Sequence, residues 1–197
     1  MTRRLAAFYD SESTGLKQED GHRLIEVAAH LYDLDTKARV GRFVQRINPQ
    51  RGIDPEAEAV HGIKFEDLVN EPTWEQVGAK LAQVLGHCRY IVAHNGEGFD
   101  LPFTFREFIR IGAPVPKVGS IDTMLQARWA TGDGSLPNLK ALCFACGVEY
   151  DPDKAHAADY DVQVMADCFF SQFERGFFTL PSEIYELPPL SAKKGKK

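Results

Sequence analysis

Three segments far apart in the chain each bring acidic side chains to the end of an apolar run. They are Asp10 and Glu12 in FYDSESTG, Asp100 in VAHNGEGFD, and Asp161, preceded by His156, in HAADYDV. Carboxylates at the edge of buried segments are costly unless they are paired, hydrogen-bonded or bound to a cation. A chain of this kind is constrained to folds in which such acids find a common counter-charge.

The runs around these acids read as regular elements. LAAFYD is an apolar run closed by an acid, RLIEVAAHLYDL alternates through Ile25, Val27, Ala29 and Leu31, and RVGRFVQRINP is a third extended segment. Three consecutive strands predict an antiparallel meander. From Phe65 onward Leu68, Trp74, Val77, Leu81, Val84 and Leu85 recur at helical spacing before the short run YIVAHN. Helices are then expected in FTFREFIRIG, MLQARW, NLKALCFACGV and DVQVMADCFFSQFERGF, with a strand in KVGSIDT. Strands first, then strands alternating with helices, predict an α/β fold. Its mixed central sheet would join a three-strand antiparallel meander to parallel strands, with helices on its faces.

At 197 residues and 44% apolar content the chain can bury one core. One domain over residues 1–180 is expected, followed by a Pro/Lys-rich tail over 181–197 that is disordered beyond Pro188. The tail reads as a solubilising or nonspecific electrostatic segment. Net charge is -5, and without Lys193, Lys194, Lys196 and Lys197 the rest carries 19 basic against 28 acidic residues. Bulk electrostatics cannot hold a polyanion on such a body, so bound cations and a few local basic groups would have to. The apolar stretch Leu5 to Tyr9 is too short for a signal-peptide core, and no segment is long enough to span a bilayer. A soluble, cytoplasmic protein with no membrane partner and reduced thiols at Cys88, Cys143, Cys146 and Cys168 is expected. Cys143 and Cys146 form one C-x-x-C with no second pair at zinc spacing. They share an apolar helix face with Leu139 and Leu142, which favours core packing over a zinc or redox site.

Residues two apart in a strand point the same way, so Asp10 and Glu12 present their carboxylates together. Like charges that close repel unless a cation lies between them, and an all-oxygen donor set favours Mg²⁺ or Mn²⁺. The competing explanation is a turn, for which Asp, Ser and Gly are ordinary residues. Asp100 stands before a helix opened by Pro102, where it could also serve as an N-terminal cap. Asp161, Met165, Cys168 and Phe169 fall on one helical stripe that is otherwise apolar, an uncommon setting for an unpartnered acid. His156 lies five residues earlier, about 140° away on a shared helix. It is therefore placed in the preceding loop, from which it could approach the same ions.

Together these segments resemble the DEDDh branch of the DnaQ-like 3′ to 5′ exonucleases, the family that includes the proofreading epsilon subunit of bacterial DNA polymerase III. The likeness runs from about Leu5 to Phe177. FYDSESTG is similar to the first exonuclease motif, VAHNGEGFD to the second, and HAADYD to the third with its His-x-Ala-x-x-Asp spacing. The branch with tyrosine in place of histidine would need Tyr where Ala157 stands. AVHGI, SIDT and LPNLKALCFACGV also look family-like. Ser11 and Ser13 stand where threonine is frequent, and Asp122 reads as a helix cap.

The resemblance implies a ribonuclease H-like sheet and two Mg²⁺ or Mn²⁺ held by Asp10, Glu12, Asp100 and Asp161, with His156 as general base. It also implies substrate contacts from Glu56, His61 and Ser13, with Phe99 as a stacking or core residue. The expected activity is release of nucleoside 5′-monophosphates from DNA, with single-stranded 3′ ends preferred. A polymerase or repair partner is a further expectation. Carboxylate geometry alone would also permit an endonuclease or a small-molecule phosphodiesterase. An exoribonuclease or oligoribonuclease of the same family, and a catalytically silent nucleic-acid-binding or polymerase-associated subunit, are the rival expectations. The motifs do not report the 2′-OH contact that separates DNA from RNA.

Overall fold

The computed structural model describes residues 3–189. Strands β1 (Leu5–Ser13), β2 (Leu24–Asp33) and β3 (Arg39–Arg46) form the antiparallel meander, with Phe8 opposite His30 and Ala28 opposite Val44. Helices α1 (Pro55–His61) and α2 (Trp74–Gly86) lead to β4 (Tyr90–Ala93), which pairs parallel with β1. Helix α3 (Asp100–Arg110) leads in turn to β5 (Gly119–Asp122), parallel to β4. Helices α4 (Thr123–Gln126), α5 (Leu139–Cys146) and α6 (Ala158–Phe173) follow. The sheet order is β3-β2-β1-β4-β5, so the expected mixed sheet is formed and β1 is its centre.

Being central, β1 is covered on both faces. Ala6 and Phe8 share one core with Ala28, with Leu142 and Cys143 of α5 and with Val162, Met165 and Phe169 of α6. Ala7 and Tyr9 share the other with Leu81 and Leu85 of α2 and with Leu101, Phe105 and Phe108 of α3. The strand period of two therefore sends even-numbered β1 residues toward α6 and odd-numbered ones toward α3. Phe8 meets the ring of Phe169 edge-on at 5.3 Å, which ties α6 to the middle of the strand.

Leu139, Leu142, Cys143 and Cys146 all join the α6-side core, and the four cysteines are free. The C-x-x-C is thus a packing feature, with the Cys143 and Cys168 sulfurs 3.6 Å apart. Among the described residues no helix is long and apolar enough to cross a membrane.

Beyond residue 180 the chain continues to touch the body. Tyr185 donates its N–H to the Val118 carbonyl (2.8 Å) and stacks edge-on against Phe105, while Arg106 donates to the Pro188 carbonyl (2.7 Å). Prolines and small residues obscured this strap, because its anchors are one ring and isolated backbone bonds with no periodic pattern. The rest of the expected tail, 190–197, lies outside the described residues.

Candidate active site

The parallel strands β1 and β4 end on the same side of the sheet, and the acidic segments meet there. Asp10 and Glu12 leave β1 on its α6-facing side and are partly exposed. Ser11, on the opposite side, donates its hydroxyl to Asp100 Oδ1 (2.7 Å). Asp100 is 3% exposed and is the first residue of α3; Phe99 occupies the cap position, so the acid is not the cap.

Asp161 lies in the first turn of α6 and is 8% exposed. Its Oδ2 accepts the His156 N–H (2.9 Å), whereas its Oδ1 is buried with no hydrogen-bond partner among the described residues. His156 stands in the turn before α6, as its spacing from Asp161 required. Its side chain is exposed and its φ of 61° is left-handed. Such a backbone costs roughly 1–3 kcal/mol in a non-glycine residue. The bond to Asp161 helps to hold it.

The carboxylates burden one another. Asp10 is raised well above the ordinary carboxylate range by burial and then by Asp100, Glu12 and Asp161, with Glu26 adding to it. Glu12 is pushed up to about 9 by burial, Asp100, Asp161 and Glu26. Burial lifts Asp100 to about 7 against the pull of the Ser11 hydroxyl, and burial raises Asp161 against its bond from His156. Among the described residues no three donors are drawn into a closed metal cage, as expected of like charges without a counter-ion. The donor set nevertheless fits hard divalent cations. It contains only oxygens, it is short of positive charge, and Asp161 Oδ1 is left unpaired.

Beside the carboxylates opens a cavity of about 560 Å³ whose lining includes Glu12, Leu16, Glu56, Val60, His61 and Phe99. Glu56 and His61 share α1, and His61 Nδ1 accepts the Ile63 N–H (3.0 Å). That bond leaves the proton on Nε2, which is buried, faces the Ser13 backbone carbonyl and makes no well-aligned hydrogen bond among the described residues. Burial lowers the pKa of this histidine and favours its neutral form. Ser13 also lines the cavity, but its hydroxyl donates to the Gly15 carbonyl (2.8 Å), so it shapes the loop. Phe99 is half-buried, packing on Phe103 at 5.5 Å while facing the cavity.

Several residues at this site escaped sequence reasoning. Leu16 and Val60 line the cavity yet are 81% and 55% exposed. Nothing marks them in sequence, because single apolar loop residues are ordinary. Glu26 lies directly across from Glu12 in β2, accepts the Ala158 N–H at the start of α6 (3.2 Å), and pairs with Arg46 (3.0 Å). An acid inside an alternating apolar strand was the available signal. The imidazole of His22 fills the space beside Gly15, contacts Thr14 (3.0 Å) and pairs with Asp54 (3.3 Å), joining two walls of the cavity. Asp122 caps α4, as expected, and also accepts the N–H groups of Asn95 (3.2 Å) and Glu97 (3.0 Å). It thereby fixes the loop that delivers Phe99 and Asp100.

A family model described as Exonuclease matches residues 7–169. The chain is similar to DNA polymerase III subunit epsilon of Rickettsia conorii, 31% identical over 165 residues that cover 81% of this chain and 70% of that one. It is 28% identical to the Escherichia coli K12 protein of the same name over 170 residues, covering 82% and 68% of the two chains. In fold it matches E. coli exonuclease I in complex with a dT13 oligonucleotide, with TM-score 0.72, 20% identity and 89% of this chain covered. The matched part is 43% of that larger chain. Exonuclease X in complex with 5′ overhanging duplex DNA aligns with TM-score 0.64 and 22% identity over 89% of this chain and 93% of that one.

Proposed function

Because this chain belongs to the exonuclease family and is a 3′ to 5′ exonuclease of the DnaQ-like kind, we propose that it releases nucleoside 5′-monophosphates from single-stranded 3′ ends of DNA. Two divalent cations, Mg²⁺ or Mn²⁺, would be held by Asp10, Glu12, Asp100 and Asp161. The observation that carries this reading is the meeting of four mutually repelling carboxylates, one with a buried unpaired oxygen, beside a cavity of nucleotide size.

When bound, such cations lower the pKa of an attacking water and neutralise charge on the phosphoryl oxygens. The protein's own groups supply the rest. His156, exposed and fixed through its backbone to Asp161, accepts the proton of the attacking water. His61 offers its Nε2 proton to an oxygen of the terminal nucleotide, and Glu56 on the same helix accepts from a hydroxyl. The terminal base rests among Leu16, Val60 and Phe99, whose apolar surfaces take any base. The DNA oligonucleotide bound by exonuclease I, a fold neighbour, supports DNA as substrate, and relatives named as a polymerase subunit support a polymerase partner. A cytoplasmic location follows from that role.

The test is digestion of matched DNA and RNA oligonucleotides labelled at the 5′ end, single and double stranded, with Mg²⁺ or Mn²⁺ supplied. A stepwise ladder on single-stranded DNA with 5′-mononucleotide product is expected, and Asp10→Ala should abolish it while remaining folded. Faster loss of RNA would make the chain an exoribonuclease. Equal release by wild type and variant would remove the proposed site.

A further inference from the structure

Building on the nuclease reading, we infer that His22 is a positioning residue, a bridge that sets the width of the nucleotide cavity by pinning the start of α1 to the loop after β1. The two walls of the cavity come from separate segments. Gly15, Leu16 and Lys17 line one, and Glu56, Val60 and His61 of α1 line the other. His22 is 7% exposed, lies just before β2 and lines the cavity between them.

The partners of the ring show how it joins the walls. Nε2 stands 3.3 Å from Asp54 Oδ2, a carboxylate that can only accept, so the proton belongs on Nε2. In the neutral ring Nδ1 then accepts from the Thr14 hydroxyl (3.0 Å), whose oxygen in turn takes the Arg23 N–H (3.0 Å). Asp54 occupies the cap position of α1 without a side-chain cap bond, and its own N–H goes to the Thr14 carbonyl (2.9 Å). The first turn of α1 is thus attached to Thr14 twice, once by backbone and once through His22.

The same ring accounts for Gly15. This glycine is not among those with a left-handed backbone, yet a Cβ on it would collide with the His22 imidazole, standing 2.6 Å from Nδ1. The ring occupies the place of a side chain and braces the loop that carries Leu16. Walls that hold the base and sugar of the terminal nucleotide act equally on bound substrate and transition state. Loosening them therefore raises KM and leaves kcat in place.

The experiment follows hydrolysis of the p-nitrophenyl ester of thymidine 5′-monophosphate with Mg²⁺ present, together with deuterium exchange of α1 measured by mass spectrometry without substrate. His22→Ala and Asp54→Ala should each raise KM at least fivefold with kcat within twofold, and the double variant should do no more than either alone. Asp54→Asn, which keeps an acceptor for Nε2, should return KM to within twofold of wild type. Gly15→Ala should raise KM as His22→Ala does, and should add nothing in the His22→Ala background, where the space is empty. The Asp54 side chain is 48% exposed, so its variants keep the fold even if removal of the buried ring does not. Exchange over α1 should quicken at least fivefold in His22→Ala and Asp54→Ala. An unchanged KM in Asp54→Ala, multiplied effects in the double variant, or a fall in kcat at fixed KM would overturn the bridge. Absence of hydrolysis by wild type would count against the nuclease reading alone. Exchange over α1 would then decide the bridge, and equal exchange in wild type and both single variants would overturn it.

Discussion

Glu26 shows how one side chain prepares a site it does not enter. Its Oε2 takes the Ala158 N–H, a donor at the first turn of α6 that has no partner within the helix, and its other oxygen takes Arg46. The same helical turn bears Asp161, whose carboxylate fixes the backbone of His156. Glu26→Ala would leave a buried N–H unsatisfied at a cost of about 1–3 kcal/mol. Turnover should fall at least tenfold with KM little changed, and Glu26→Gln, which keeps an acceptor for Ala158, should recover most of it. Steady-state kinetics of the two variants check this, and wild-type turnover in both would contradict the positioning role. That Asp10, Glu12, Asp100, His156 and Asp161 would come together was legible because an acid or histidine is conspicuous beside an apolar run. Leu16 and Val60 were not, since their significance is exposure within a cavity, which only the fold determines.

At the scale of elements, the site is a consequence of strand parity and helix starts. Parity on β1 sends Asp10 and Glu12 toward α6 and Ser11 toward α3, where it holds Asp100. Period-two and helical patterns made these elements visible in sequence, and the meander, the later strands and the long helices appear where the periodicity placed them. The strap over 181–189 and the second duty of Asp122 were hidden because both consist of single bonds between distant segments. Asp122 takes Met124 N (2.9 Å), Leu125 N (3.1 Å), Asn95 N and Glu97 N, joining the end of β5 to the loop before α3. Asp122→Ala should cost about 2–4 kcal/mol, more than a simple cap, because several donors lose one acceptor. Urea unfolding measures that loss. Asp122→Asn, which keeps one acceptor oxygen, should recover part of it.

Over the whole molecule, the fold is held together around an electrostatic deficit. In the ion-free protein Asp100 and Glu12 are raised to about 7 and about 9, and Asp10 and Asp161 are raised as well. Between roughly pH 4 and those values the folded chain therefore binds more protons than the unfolded one, and stability falls as pH rises through the window. Several groups act in the opposite sense at lower pH, Asp159, His30, His61 and His94 among them. Arg42 holds Asp159 down to about 2, so that stability is lost as pH falls below about 4, and burial lowers His30, so that stability is lost on acidification below about 6.5. The acidic cluster is thus isolated best between about pH 7 and about pH 9. The decisive measurement is thermal unfolding of chelator-treated protein at those two values, with and without millimolar Mg²⁺, for wild type and Asp10→Ala. Wild type should melt lower at the higher pH, and Mg²⁺ should raise its midpoint by roughly 5–10 °C at cation concentrations well above Kd, with the larger gain at the higher pH. Asp10→Ala should lose most of both responses. A wild-type midpoint indifferent to Mg²⁺ at both pH values, in protein that still digests DNA, would contradict the claim that these carboxylates hold the catalytic cations.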